Sequence, residues 1–166
     1  KNIPTGELCR AFSVDTNVYN RSFDELSVKD AVEVYEQTVA PLNPETLLIH
    51  LGEADIEFFT QNPGEFDNKY RELINTVRKH NKKCRISVIS LRNYKNDQNI
   101  TEMNRHLKYL ADSEKCEYGD IASKRVWNPK AEMEAVSFVY SIGFVNPLKN
   151  KRPLYDLVKI LFCYEA

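Results

Sequence analysis

The chain has 166 residues, room for one domain of ordinary size, and its 42% hydrophobic and 28% charged residues are a globular balance rather than that of a disordered tail or a coiled coil. A formal net charge of -1 gives no whole-molecule positive field to hold a polyanion, so nucleic acid is not an expected partner. The longest apolar stretches are far too short to span a bilayer and no signal-like segment opens the chain, so no membrane partner is expected either.

In chain order, a helix is expected at 4–12 and a short strand at Asn17-Val18-Tyr19. Over 28–40, Ala31, Val32, Val34, Tyr35 and Val39 recur at helical spacing behind an S-x-x-D capping pattern, Ser27 and Asp30. Pro41 and Pro44 end that helix, and the nearly continuous apolar run Thr46 to Leu51 suits a strand covered on both faces. Phe66, Tyr70, Leu73, Ile74 and Val77 then mark a helix over 65–80. A second apolar run, Cys84 to Leu91, marks another strand. Ile100, Met103, Leu107, Leu110 and Ala111 mark a third helix, with a weaker strand signal at Cys116 to Ile121. Near the end, Pro153 sits where a first helical turn tolerates it. Leu154, Leu157, Val158, Leu161 and Phe162 follow on one helical face, so the spacing predicts a last helix there.

No repeat, low-complexity run or Gly/Ser linker interrupts the sequence, and 1–166 reads as a single domain. Strands alternating with helices of this length predict an α/β domain with a mostly parallel sheet. Cys9, Cys84, Cys116 and Cys163 stand far apart with no C-x-x-C pair; reduced, buried thiols in a cytoplasmic protein are expected. The five glycines never come close enough for a phosphate cradle, and Glu53, Asp55 and Glu57 have no histidine or cysteine at ligand spacing. No cofactor and no metal are therefore expected.

Ligands of a parallel sheet bind beyond the carboxyl ends of its strands. Three places qualify: Asn20-Arg21-Ser22, Gly52-Glu53-Ala54-Asp55 and the loop before the last helix. From Asn17 to Asp55 the order is a strand ending in Asn-Arg-Ser, a helix, and an apolar strand ending in Gly-Glu-Ala-Asp. This resembles the SGNH (GDSL-type) hydrolase family, mostly esterases and acyl or acetyl hydrolases, and the similarity continues through Tyr70 to Leu91. The resemblance implies a three-layer, flavodoxin-like sandwich with strand order 2-1-3-4-5. It also implies a Gly-Asp-Ser nucleophile, an Asp-x-x-His base near the C-terminus, and an oxyanion site made by a glycine N–H and an asparagine amide.

Each of those elements is altered or absent. No Gly-Asp-Ser occurs, Ser22 stands at the glycine position, and Ala54 stands where the amide is expected. Counted back from the last helix, Asn146 and Lys149 take the positions of the family aspartate and histidine. A lysine of ordinary pKa, ~10.4, is charged at pH 7 and cannot accept a proton. His50 reads as a core or sheet-face residue, His80 as an exposed helix end, and His106 as solvated in mid-helix. The expected function is a catalytically degenerate SGNH hydrolase-like domain acting as a binding or structural module. The alternative is an active acyl or acetyl ester hydrolase with its serine upstream of residue 1 and Lys149 or a relocated histidine as base.

Asn20, Arg21, Ser22, Gly52, Ala54 and Asp55 are the candidate binding residues, for a small ester or carbohydrate ligand or a protein partner. The bland roles stand beside them: Asp55 capping the segment from Ile56 or bonding the neighbouring loop, and Asn20 and Arg21 tying strand ends together. Lys149 to Arg152 reads as a solvated turn or a patch for an acidic partner. Trp127, Phe138 to Tyr140 and Phe144 bury a loop or line the cleft mouth. The resemblance leaves the central strand unaccounted for. About twenty further residues in front, or another chain, are expected to supply it.

Overall fold

Five parallel strands organise the computed structural model, which describes residues 18–93, 95–122 and 158–162. They are β1 (Val18–Asn20), β2 (Thr46–His50), β3 (Arg85–Ile89), β4 (Glu117–Gly119) and β5 (Val158–Phe162), in the order β1-β5-β2-β3-β4. Both apolar runs of the middle of the chain become strands as their composition predicts. All five residues of β2 and the last four of β3 are buried, as covered parallel strands require.

The expected last helix is not formed at 158–162; that segment is a strand, paired with β1 from Val18↔Val158 to Asn20↔Ile160 and with β2 from Thr46↔Val158 to His50↔Phe162. It occupies the position for which a missing strand or a second chain was expected. The physical reason lies in the neighbours. The backbone groups by which β1 and β2 face each other need a strand between them, and a short apolar run satisfies either period. Moving β5 to the front of the numbering turns the observed order into 2-1-3-4-5, the flavodoxin-like arrangement that the resemblance implies. The helix expected at 4–12, Asn146, Lys149, the basic turn to Arg152, Trp127 and the aromatic cluster at 138–144 lie outside the described residues.

Among the described residues, four helices cover one sheet face: α1 (Ala31–Thr38), α2 (Ile56–Gln61), α3 (Pro63–His80) and α4 (Gln98–Ser113). The buried cluster shows which face. It joins Tyr35, Phe66, Tyr70, Leu73, Met103 and Leu107 to Leu47, Ile49, Ile86 and Val88, strand residues of one parity. The residues of the other parity, Leu48, Ser87, Ile89 and His50, are buried too but stand outside that cluster. α1 begins later than its capping pattern predicts. The Ser27 hydroxyl accepts from the Asp30 N–H at 3.3 Å and donates to its carboxylate at 2.6 Å, closing a turn before the helix proper. α4 is capped as its sequence allows, the Asp97 carboxylate accepting from the Asn99 and Ile100 N–H groups. Glu114, just past the end of α4, ties it to α3, 3.2 Å from Arg71 and 3.6 Å from Arg78.

Candidate functional site

The register places the candidate residues along one rim. Asn20 lies level with Ile160, and Ile160 with Leu48, so the loops after β1 and β2 flank the end of β5. At the ordinary strand spacing they stand two steps, ~10 Å, apart. Arg21, next after β1, donates from Nε to the Thr38 carbonyl at 3.4 Å and lies over the Tyr19 ring at 5.5 Å. It thus ties the loop to the end of α1, rather than one strand end to another. Ser22 is half-buried.

Beyond β2 the chain turns sharply at Gly52, whose φ of 132° is open only to glycine in practice. A Cβ there would meet the Met103 sulfur at 3.0 Å and the Leu91 side chain at 3.5 Å, so the loop is packed down on α4. Glu53–Asp55 then form a 3-10 turn with Ala54 exposed and Asp55 buried. Asp55 makes no cap of α2. Its carboxylate accepts from the Val28 N–H, at 3.1 and 2.9 Å, and so bonds the neighbouring loop instead. Burial pushes this carboxyl up to about 6, against the pull of the Val28 N–H and of Lys29, with Asp30 adding to the rise.

Two further buried groups hold the rim after β3. Ser90 Oγ accepts from the N–H groups of Ile121 and Ala122 at 2.8 and 3.0 Å and donates to Asp120 at 3.3 Å. Asn104 accepts from the Leu91 N–H at 2.7 Å and donates to the Leu91 carbonyl at 2.8 Å, so both of its amide atoms are bound to one backbone unit. Asn104 is absent from the expected site residues, yet a signal exists. It sits on the apolar stripe of α4, three before Leu107 and seven before Ala111, where a polar side chain needs an internal partner.

The histidines take three different places. His50 ends β2 fully buried, and burial, with the Arg92 charge acting the same way, lowers it to about 4 against a Ser90 backbone hydrogen bond. It is therefore neutral at pH 7 and shut away from a substrate. His80 ends α3, exposed, 3.5 Å from Glu36. His106 departs from the expected solvated role. Its Nδ1 lies 3.2 Å from both Asp67 oxygens and its ring packs edge-on against Phe59 at 5.0 Å, because α3 and α2 pass beside this turn of α4. Cys84 and Cys116 are free thiols, half-buried rather than fully buried. Burial pushes Cys116 up to about 11, which makes it a poor nucleophile. Among the described residues no cluster of three or more histidine, cysteine or carboxylate groups is arranged to hold a metal, and no helix is long and apolar enough to cross a membrane.

The rim thus gathers Asn20, Arg21 and Ser22 with Gly52, Ala54 and Asp55. Asn146 and Lys149, counted from a helix that 158–162 does not form, lie outside the described residues. No family model and no curated protein matches the chain. A solved structure does. The acetyl xylan esterase AlAXEase is similar in fold, with a TM-score of 0.60 and 15% identity over 74% of this chain and 78% of that one. At that identity the likeness shows a shared α/β fold alone and leaves activity to be argued from the residues.

Proposed function

We propose that the chain is an SGNH-type hydrolase-like domain that has lost ester hydrolysis and binds a small ester, a carbohydrate or a protein partner at this rim. One observation carries the reading: at the exposed turn after β2, the position expected to aim an amide at an oxyanion holds the methyl group of Ala54. Removing one such donor lowers rate by ~10²–10³. The places of the histidines support the same reading, since His50 is buried in the sheet, His80 faces Glu36 and His106 faces Asp67.

The likeness to an acetyl xylan esterase favours a second reading, an active acyl or acetyl ester hydrolase with Lys149 or a relocated histidine as its base. The two separate on turnover of 4-nitrophenyl acetate and acetylated xylan by the purified protein. The first predicts release of acetate no faster than in buffer. Turnover abolished by a serine-directed phosphonate would establish the second and end the first.

A further inference from the structure

On the helix layer, away from the strand ends, Asp67 of α3 and Arg105, His106 and Tyr109 of α4 line an open depression of about 400 Å³. Its lining is of two kinds. Tyr109 is 60% exposed; among the described residues only Phe23 is another large hydrophobic side chain left exposed. Asp67, by contrast, is buried, and it holds His106 through both carboxylate oxygens while Phe59 fixes the imidazole from another side. An exposed phenol side chain therefore stands beside a pair of polar groups already fixed in place.

The charges of this cluster close on one another. Asp67 faces His106 Nδ1, Glu102 lies 3.6 Å from His106 Nε2, and Glu102 also pairs with Arg105. Asp67 and Glu102 face a single Arg105 here, so no excess positive charge remains to favour an anion. A wholly apolar ligand would bury the outer edges of Asp67 and His106 without replacing their water, an expensive exchange. The fitting ligand is no anion, carries hydroxyls along its edge, and has a face of polarised C–H groups to lie on the electron-rich face of a phenol ring. A sugar ring has all three properties.

We propose that this depression binds a neutral saccharide, with one pyranose ring stacked on Tyr109 and its hydroxyls bonded to Asp67, His106 and Arg105. The proposal does not depend on what the rim does. It is tested by titrating the ¹⁵N-labelled chain with cellotriose, with xylotriose and, as an ionic probe, with inorganic phosphate, for the natural sequence and for Tyr109→Ala. Saturable amide shifts over residues 102–110 are expected with a trisaccharide and not with phosphate, with Kd raised at least tenfold in Tyr109→Ala. Arg105→Ala, another exposed substitution, is expected to raise Kd severalfold and gives the same reading should Tyr109→Ala fail to fold. No saturable shift, a response to phosphate alone, or a saccharide affinity indifferent to these substitutions would overturn it. Shifts confined to 20–22 and 52–55 would also overturn it while leaving ligand binding at the rim intact.

Discussion

The strand-end rim and the α3–α4 surface use polar side chains in opposite ways. At the rim, Asp55, Ser90 and Asn104 are buried and bound to backbone: Val28, Ile121 and Ala122, and Leu91. Between α3 and α4, Asp67 is buried too, but it is bound to a side chain, His106, which with Glu102 and Arg105 reaches the surface. A side chain whose hydrogen-bonding capacity is taken up by backbone fixes a loop and has little left for a ligand. Groups that meet at a surface keep an edge for one. The rim is thus a frame of side chains held by backbone, whereas the helix layer presents side chains that orient one another.

The sharpest way to break this contrast is to remove a backbone-bound group. Asn104→Ala leaves the Leu91 N–H and carbonyl buried with neither of their side-chain partners, and each such group costs about 1–3 kcal/mol. A loss of about 2–4 kcal/mol in urea unfolding is expected, with the denaturant slope unchanged. A loss below about 1 kcal/mol would mean that water reaches Leu91 and that the rim is not the closed frame described.

How far the sequence reveals these two regions follows from the range of the interactions. The strands β2 and β3 and the helices α3 and α4 are legible because their apolar periods are local and long enough to exclude the other state. β5 is not. Leu157, Val158, Leu161 and Phe162 fit a helical face, and Val158 to Phe162 equally fits a buried strand; the choice is made by β1 and β2, more than a hundred residues away. The site divides in the same manner. Gly52 and Asp55 are visible as a turn following a strand, but that Asp55 holds Val28 depends on a contact across 27 residues. Asp67 and Asn104 leave a fainter local trace, each a polar residue on an otherwise apolar stripe. His106 leaves less, because the edge of a helical stripe looks the same whether a neighbouring helix supplies a carboxylate or water does.

A smaller effect separates the frame's charged member from its neutral ones. Because burial raises Asp55 from the ordinary 3.8 to about 6, the native state binds its proton more tightly than the unfolded chain does between those values. The stability this contributes is fully present below about pH 4 and falls away as pH rises through 6. Asp55→Asn removes the titration and keeps an oxygen that can accept from Val28. The stability of the natural sequence relative to Asp55→Asn is therefore expected to decline by on the order of 1 kcal/mol between pH 4 and pH 7. Urea unfolding of both proteins at pH 4, 5.5 and 7 checks this, and a constant gap would show that the carboxyl is hydrated.

The smallest effect belongs to the helix layer, and its size is the point. Asp67 and His106 join α3 to α4 through side chains alone, 12% and 26% exposed respectively, so solvent weakens their attraction. A double-mutant cycle of Asp67→Asn and His106→Gln is expected to return a coupling of about 0.5–1 kcal/mol, well under the loss from Asn104→Ala. A coupling as large as the Asn104 effect would make the pair a structural bolt like those of the rim, its geometry set by folding rather than left open to solvent. A coupling near zero would mean that the imidazole is not held by the carboxylate, and the fixed polar edge beside Tyr109 would be lost with it. Only the intermediate value fits a pair strong enough to stay oriented and weak enough in its contribution to the fold that the helices would pack without it.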